Sequence, residues 1–218
     1  MTSLPGQHVS LVERTHRSSL GPLLRSCESV LRSVIWRRRG AHPPAPPHIK
    51  RKMLASYVDR FHPAVFVETG TYRGDTVAKL VDHVQRVVSI ELDPTLAGLA
   101  RRRFAGKSKV TILQGDSAEE LPRVISELHE LSLLWLDGHY SGGVTADSGE
   151  SPIMRELAAA LSADQPHVIL VDDIRLFDGS DGYPTLDQVL ALVGASDHHV
   201  RVQTEHDVLR IVPVALAT

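Results

Sequence analysis

The stretch Val65-Phe66-Val67-Glu68-Thr69-Gly70-Thr71-Tyr72-Arg73-Gly74-Asp75-Thr76 decides how the rest of the chain is read. It opens with a short run of β-branched and aromatic residues, the composition of a buried strand, and two glycines then bracket a turn before a helical pattern begins at Thr76. Gly70 would let a ligand come close to the backbone, Gly74 would let the turn fold tightly against the next helix, and exposed amides between them would suit a carboxylate. The glycines lack the G-x-G-x-x-G spacing, which argues against a nicotinamide-dependent dehydrogenase.

The same alternation continues on the C-terminal side. Apolar runs at Ala64–Glu68, Val87–Glu91, Val110–Gln114, Leu131–Asp137 and Val168–Asp172 read as buried strands, separated by helical patterns at Thr76–Val84, Leu96–Phe104, Ser117–Leu128 and Pro152–Leu161. Strand and helix in strict succession predict a parallel sheet covered on both faces. His199–Thr204 and Val208–Pro213 are too close for a crossover helix and read as an antiparallel hairpin. The fold class expected is α/β: a Rossmann-like sheet of seven strands, five parallel plus a C-terminal antiparallel pair, with helices on both faces.

Two further acids stand at strand ends. In Ser89-Ile90-Glu91-Leu92-Asp93-Pro94 the carboxylate of Glu91 suits a pair of ribose hydroxyls, although it also suits capping the next helix. In Leu113-Gln114-Gly115-Asp116-Ser117, Asp116 reads as a helix N-cap. Taken with Glu68, Gly70 and Gly74, this ordered set resembles the class I S-adenosylmethionine-dependent methyltransferases. The resemblance implies S-adenosylmethionine as cofactor, bound by Glu68, Gly70, Thr71 and Gly74 at its methionine end, Glu91 at the ribose, and Asp116 with Ser117 near the adenine.

In an open parallel sheet, ligands gather beyond the carboxyl ends of the strands, so the acceptor is expected where the fourth and fifth strands end. Those ends read Leu136-Asp137-Gly138-His139-Tyr140 and Val171-Asp172-Asp173-Ile174-Arg175. If the two strands are neighbours, Asp137 faces the Asp172-Asp173 pair, three oxygen donors of the kind magnesium accepts. Alternation along a strand would instead turn one of the pair away. Here the chain resembles cation-dependent O-methyltransferases, of the catechol type and, more closely, the type acting on sugar hydroxyls, which implies Asp137, Asp172 and Asp173 as metal ligands. Asp137 with His139 is the candidate catalytic pair, His139 as general base, because imidazole titrates near neutral pH. The glycine-containing stretch Gly138–Gly149 reads as a mobile loop over this site. Phe177–Pro184 reads as a second lid leading into a helix at Thr185–Val193, with Arg175 and Tyr183 available to a phosphate or sugar.

Charge divides the chain. Through Lys52 there are 10 Lys and Arg against 2 Asp and Glu, and after it 14 against 24, so a +8 segment precedes a −10 body within a net charge of −2. The first segment, residues 1–52, is read as a basic amphipathic helix over Leu20–Arg39 followed by a proline-rich extended linker, and residues 53–218 as the methyltransferase domain. The helix would pack on the domain or on a second copy of the chain as a homodimer, or would rest on an anionic membrane surface or, as the least favoured alternative, on nucleic acid. One cysteine, Cys27, excludes an internal disulfide framework. No apolar run approaches the ~20 residues of a membrane span, so the expected location is cytoplasmic, with peripheral membrane contact through the arm. The acidic body and the lack of an Asn/Asp-Pro-Pro-aromatic motif argue against a nucleic-acid substrate, leaving a small-molecule acceptor. The alternative from another class is an accessory module with this fold, docked through its basic arm.

Overall fold

The computed structural model describes residues 33–38, 40–137 and 151–217. Residues 33–38 are helical; the rest of the expected helix Leu20–Arg39, and the loop 138–150 with His139, lie outside the described residues. The main body runs α1 (Pro47–Phe61), β1 (Val65–Thr69), α2 (Asp75–Leu80), β2 (Arg86–Glu91), α3 (Pro94–Arg103), β3 (Val110–Gln114), α4 (Ser117–Ser126), β4 (Ser132–Leu136), α5 (Ile153–Leu161), β5 (Val168–Val171), α6 (Leu186–Gly194), β6 (Val200–Glu205) and β7 (Val208–Pro213).

One seven-stranded sheet has the order β3-β2-β1-β4-β5-β7-β6. Pairing is parallel from β3 through β5, and β7 runs antiparallel to both β5 and β6. Chain order reverses between β1 and β4, the place where such sheets leave a crevice at their carboxyl edge. The strands β1, β4 and β5 are buried at every residue, as strands covered on both faces must be. Two apolar cores do the covering. One packs α4, α5 and α6 against side chains such as Val67, Leu134 and Ile169; the other packs α1, α2 and α3 against Phe66, Leu133 and Leu170.

Two elements differ from the sequence reading. The proline-rich stretch was expected to stay extended to Lys52, yet a helix begins at Pro47, which occupies its first turn, where a missing N–H costs nothing. The expected boundary between residues 52 and 53 therefore falls inside α1, whose Leu54 and Val58 belong to the core. The second helix ends at Leu80 rather than Val84, where a tighter turn takes over as the His83 N–H reaches the Leu80 carbonyl.

Candidate functional site

The carboxyl ends of β1, β2 and β3 bring the first group together. Gly70 follows β1 with φ 85°, and a Cβ there would stand 2.8 Å from the carbonyl oxygen of Asp137. The end of β4 thus makes one close approach that requires glycine here. Gly74 has φ 71°, and a Cβ would meet the Phe104 ring at 2.7 Å, so this glycine seats the turn against the end of α3, and not against the next helix, α2, as its position suggested. The amides of the turn were expected to be exposed, and four of them are engaged within the chain. Those of Gly70 and Thr71 donate to the Ile90 carbonyl, that of Gly74 to the Thr71 carbonyl, and that of Tyr72 to Glu91 Oε2 at 2.7 Å. The reason is register: β1 lies beside β2, and the residues that follow each strand satisfy one another.

Glu91 accepts with both oxygens, the second from the Asp93 N–H at 3.0 Å, so it holds the glycine turn and the start of α3 in one grip. Glu68 is buried and accepts a hydrogen bond from Ser89 Oγ at 2.7 Å; Ser89 Oγ also lies 2.6 Å from Thr71 Oγ1. Burial, reinforced by Asp137 and Glu91, pushes the Glu68 carboxyl up to about 8 against the Ser89 hydrogen bond. Asp116 caps α4, accepting from the Ala118 N–H at 2.9 Å, with Ser117 the first residue of that helix.

The second group forms at the ends of β4 and β5, which are neighbours with Leu136 level with Val171. The next residues, Asp137 and Asp172, together with Asp173, can each offer a carboxylate oxygen within 4.8 Å of the others. Strict alternation would have turned Asp173 away. Instead it leaves the strand in the left-handed region, φ 56° and ψ 40°, a conformation Asp tolerates better than most residues, and both carboxylates face one side. That side holds Lys50. Its Nζ lies 2.6 Å from Asp172 Oδ1 and 2.6 Å from Asp173 Oδ1, with the three side chains 12%, 2% and 7% exposed. Arg175 pairs with Asp173 and Asp207, so its guanidinium is turned to these acids rather than to an incoming phosphate or sugar.

Charge in this cluster follows from burial. Desolvation and the neighbouring Asp137 push Asp172 up, against the opposing pull of Lys50. Lys50, whose burial alone would lower its pKa, is held above the ordinary lysine value by Asp172 and Asp173. The two directions oppose each other across one ion pair. A lysine equidistant from two carboxylates is a charged lysine, while burial first, and the negative charge of Asp137 and Asp173 after it, raises Asp172.

A small pocket opens at the trio, lined by the three acids and Ser151 together with the apolar side chains of Leu136, Ile153, Leu176 and Phe177 and the ring of Tyr183. Phe177 and Tyr183 stack at 6.2 Å between ring centres, and Asp178 bridges to Thr185 in an antiparallel contact. Within Phe177–Pro184, Phe177 and Tyr183 line the pocket, while Asp178, Gly179, Ser180 and Asp181 between them are exposed to solvent.

Two residues of this region escaped the sequence reading. Lys50 sits in a basic triplet that looked like the end of a linker. Glu156 lies fully buried on α5 between Ile153 and Leu157, with Oε2 3.4 Å from Thr69 Oγ1, and burial pushes it up to about 7. An acid inside the apolar stripe of an amphipathic helix was the available signal for Glu156. Lys50 offered none until α1 was known to begin before it.

No protein-family model matches the sequence, and comparison with curated proteins finds no match. The structure is similar to several solved ones. A Podospora anserina methyltransferase, PaMTH1, bound to S-adenosylhomocysteine, is 16% identical with a TM-score of 0.55, over 98% of this chain and 99% of that one. A caffeoyl-CoA O-methyltransferase assignment from Staphylococcus aureus is 13% identical at 0.57, covering 92% and 95%. TomG from Streptomyces achromogenes, an O-methyltransferase of tomaymycin synthesis in complex with S-adenosylmethionine, is 18% identical at 0.54, covering 84% and 88%. The chain has the fold of class I methyltransferases, as its strand order and C-terminal hairpin require.

Proposed function

We propose that this chain is an S-adenosylmethionine-dependent methyltransferase that methylates a hydroxyl of a small molecule, with a sugar or related polyol as the acceptor class. The single observation that carries the reading is the grouping of Glu68, the Gly70 turn, Glu91 and Asp116 at the carboxyl ends of three adjacent parallel strands, beside the point where chain order reverses. The fold shared with methyltransferases supports it.

S-adenosylmethionine, when bound, supplies an electrophilic methyl group on a sulfonium sulfur. Glu68 binds the ammonium at the methionine end, and ionises as it does so. Glu91, already fixed by two backbone amides, keeps lone pairs for the ribose hydroxyls. Asp116 and Ser117 stand at the adenine end. On the acceptor side, Asp137 and the wall of Phe177 and Tyr183 hold the acceptor so that its hydroxyl oxygen lines up with the methyl carbon. S-adenosylmethionine would supply its methyl group to that oxygen, its sulfur keeping the electron pair, and His139 would take the hydroxyl proton. Magnesium, if bound, would be held by Asp137, Asp172 and Asp173 and would lower the pKa of the acceptor hydroxyl. The donor set suits it, but two of its three acids already share Lys50, and a divalent ion enters only where Lys50 withdraws.

Calorimetric titration of the full chain with S-adenosylhomocysteine tests the cofactor reading. Saturable one-to-one binding is expected, and its absence in correctly folded protein would sink the proposal.

A further inference from the structure

We propose that Lys50 is the resident cation of the Asp137–Asp172–Asp173 trio, standing where a divalent ion would otherwise be held, so that the acceptor side of the site works without bound metal. The inference rests on reading this trio as the acceptor side of a methyl-transfer site.

The argument begins with α1. Lys50, Leu54 and Val58 are spaced by four residues and so lie along one face of the helix. Leu54 and Val58 are buried in the core beneath the sheet, at 1% and 2% exposure. The packing that fixes them also fixes the direction in which Lys50 projects. Its side chain is delivered as a buried stem with a charged tip, and it is not a surface lysine that has folded over by chance. The tip meets two carboxylate oxygens at equal distance, which is the shared position a hard cation takes between acids.

The acids are arranged to receive it. The left-handed backbone at Asp173 turns that side chain to the same side as Asp172, and the Asp173 N–H donates to Asp172 Oδ1 at 2.8 Å, which fixes the pair relative to each other. Arg175 pairs with the same Asp173 oxygen and with Asp207, so a second cation of the chain faces the cluster. A divalent ion among the same oxygens would sit within a few ångströms of the ammonium and be repelled by it. A lysine tip has three N–H donors and a single charge. Two donors are directed at Asp172 and Asp173, and the third is the one to offer an acceptor oxygen. Lys50 would thus be a positioning residue that replaces the orienting role of a metal, though with half its charge.

The test is Mn2+ binding to the full-length protein, followed by electron paramagnetic resonance, with S-adenosylhomocysteine titrated separately on the same samples. Failure of the methyltransferase reading would appear in the second titration alone. Wild-type protein is expected to show no saturable Mn2+ binding below about 1 mM, a range typical of weak oxygen-ligand sites. Lys50→Gln and Lys50→Ala should each bind Mn2+ at least about tenfold more tightly, and adding Asp172→Asn should abolish the gain. Lys50→Arg, which keeps the charge, should exclude Mn2+ as wild type does. Circular dichroism identifies which variants are folded. Saturable Mn2+ binding by wild type that Asp172→Asn removes would overturn the proposal, and so would folded Lys50→Gln or Lys50→Ala protein that binds Mn2+ no better than wild type. The wild-type measurement stands even if a substitution prevents folding.

Discussion

A Cβ placed on Gly70 would lie 2.8 Å from the carbonyl oxygen of Asp137, at the point where β1 and β4 part and chain order in the sheet reverses. The turn after β1 and the end of β4 therefore lie backbone against backbone, and a disturbance of one moves the other. Gly70→Ala would add this clash to a strained φ of 85°. It should lower stability by about 1–3 kcal/mol and weaken S-adenosylhomocysteine binding at least tenfold. Gly98→Ala on α3 is the control, since the nearest atom is the mobile Arg102 guanidinium at 3.7 Å. That change should be neutral or stabilising by about 0.5–1 kcal/mol. Urea denaturation compares them, and equal midpoints for the two variants would refute the contact argument.

With Glu68 as the proposed partner of the cofactor's ammonium, cofactor binding is expected to depend on pH. Its carboxyl is raised to about 8 in the folded chain, chiefly by burial, from an ordinary value near 4.5. A raised acid favours the folded state when protonated, so its contribution is fully present below about 4.5 and is lost as pH rises through about 8. An ammonium ligand demands the ionised form, and binding must therefore release a proton. Affinity for S-adenosylhomocysteine should rise by up to about tenfold per pH unit between about 6 and 8, then level off. Calorimetry in buffers of different ionisation enthalpy counts the released proton directly. Glu68→Gln should bind more weakly and lose the slope; if it keeps the slope, Glu68 is not the group involved.

The central strands were legible because a strand buried on both faces is written as an uninterrupted apolar run, and Ser132–Leu136 and Val168–Val171 fall within the runs expected at Leu131–Asp137 and Val168–Asp172. The acids at the strand ends were legible for the same reason, since each follows such a run directly. What sequence could not give were relationships across the fold. Lys50 and Asp172 are remote in sequence, and nothing local to either shows that α1 would bring them together. Nor could composition show that Ile90 and Glu91 would consume the turn's amides, because that depends on the register of β1 against β2. Asp173 is an intermediate case. Its place was visible, while its direction depended on one left-handed residue that broke the alternation.

His167 sets an acid limit on stability. It is 2% exposed, and neither ring nitrogen has a hydrogen-bond partner among the described residues. Burial, with a smaller contribution from His198, pushes it down to about 4. The unfolded chain takes up this proton below about 6.5 while the folded chain resists until about 4. The stability contribution is therefore full above 6.5 and falls as pH drops through that window, by about 1.4 kcal/mol per pH unit. His167→Leu, similar in bulk and without polar atoms to satisfy, should be near neutral at pH 7 and more stable than wild type at about pH 5. Urea midpoints of the two proteins across this range give the difference directly, free of the opposite slope from Glu68. Parallel curves would show that His167 takes its proton in the folded chain as readily as in the unfolded one.

Asp116 is assigned two roles that one pair of substitutions separates. Its side chain accepts from the Ala118 N–H at 2.9 Å as the N-cap of α4, and the methyltransferase reading also sets it at the adenine amino group. Asn caps a helix about as well as Asp, whereas Ala does not. Asp116→Asn should therefore keep stability within about 0.5 kcal/mol, and Asp116→Ala should lose about 1 kcal/mol. Adenine recognition depends on an acceptor rather than on a cap, and Asn retains only one oxygen, shared with the cap. S-adenosylhomocysteine affinity should therefore fall severalfold in both variants, independently of the stability change. Equal affinity of Asp116→Asn and wild type, with reduced stability confined to Asp116→Ala, would assign Asp116 to α4 alone and move the adenine contact to another residue.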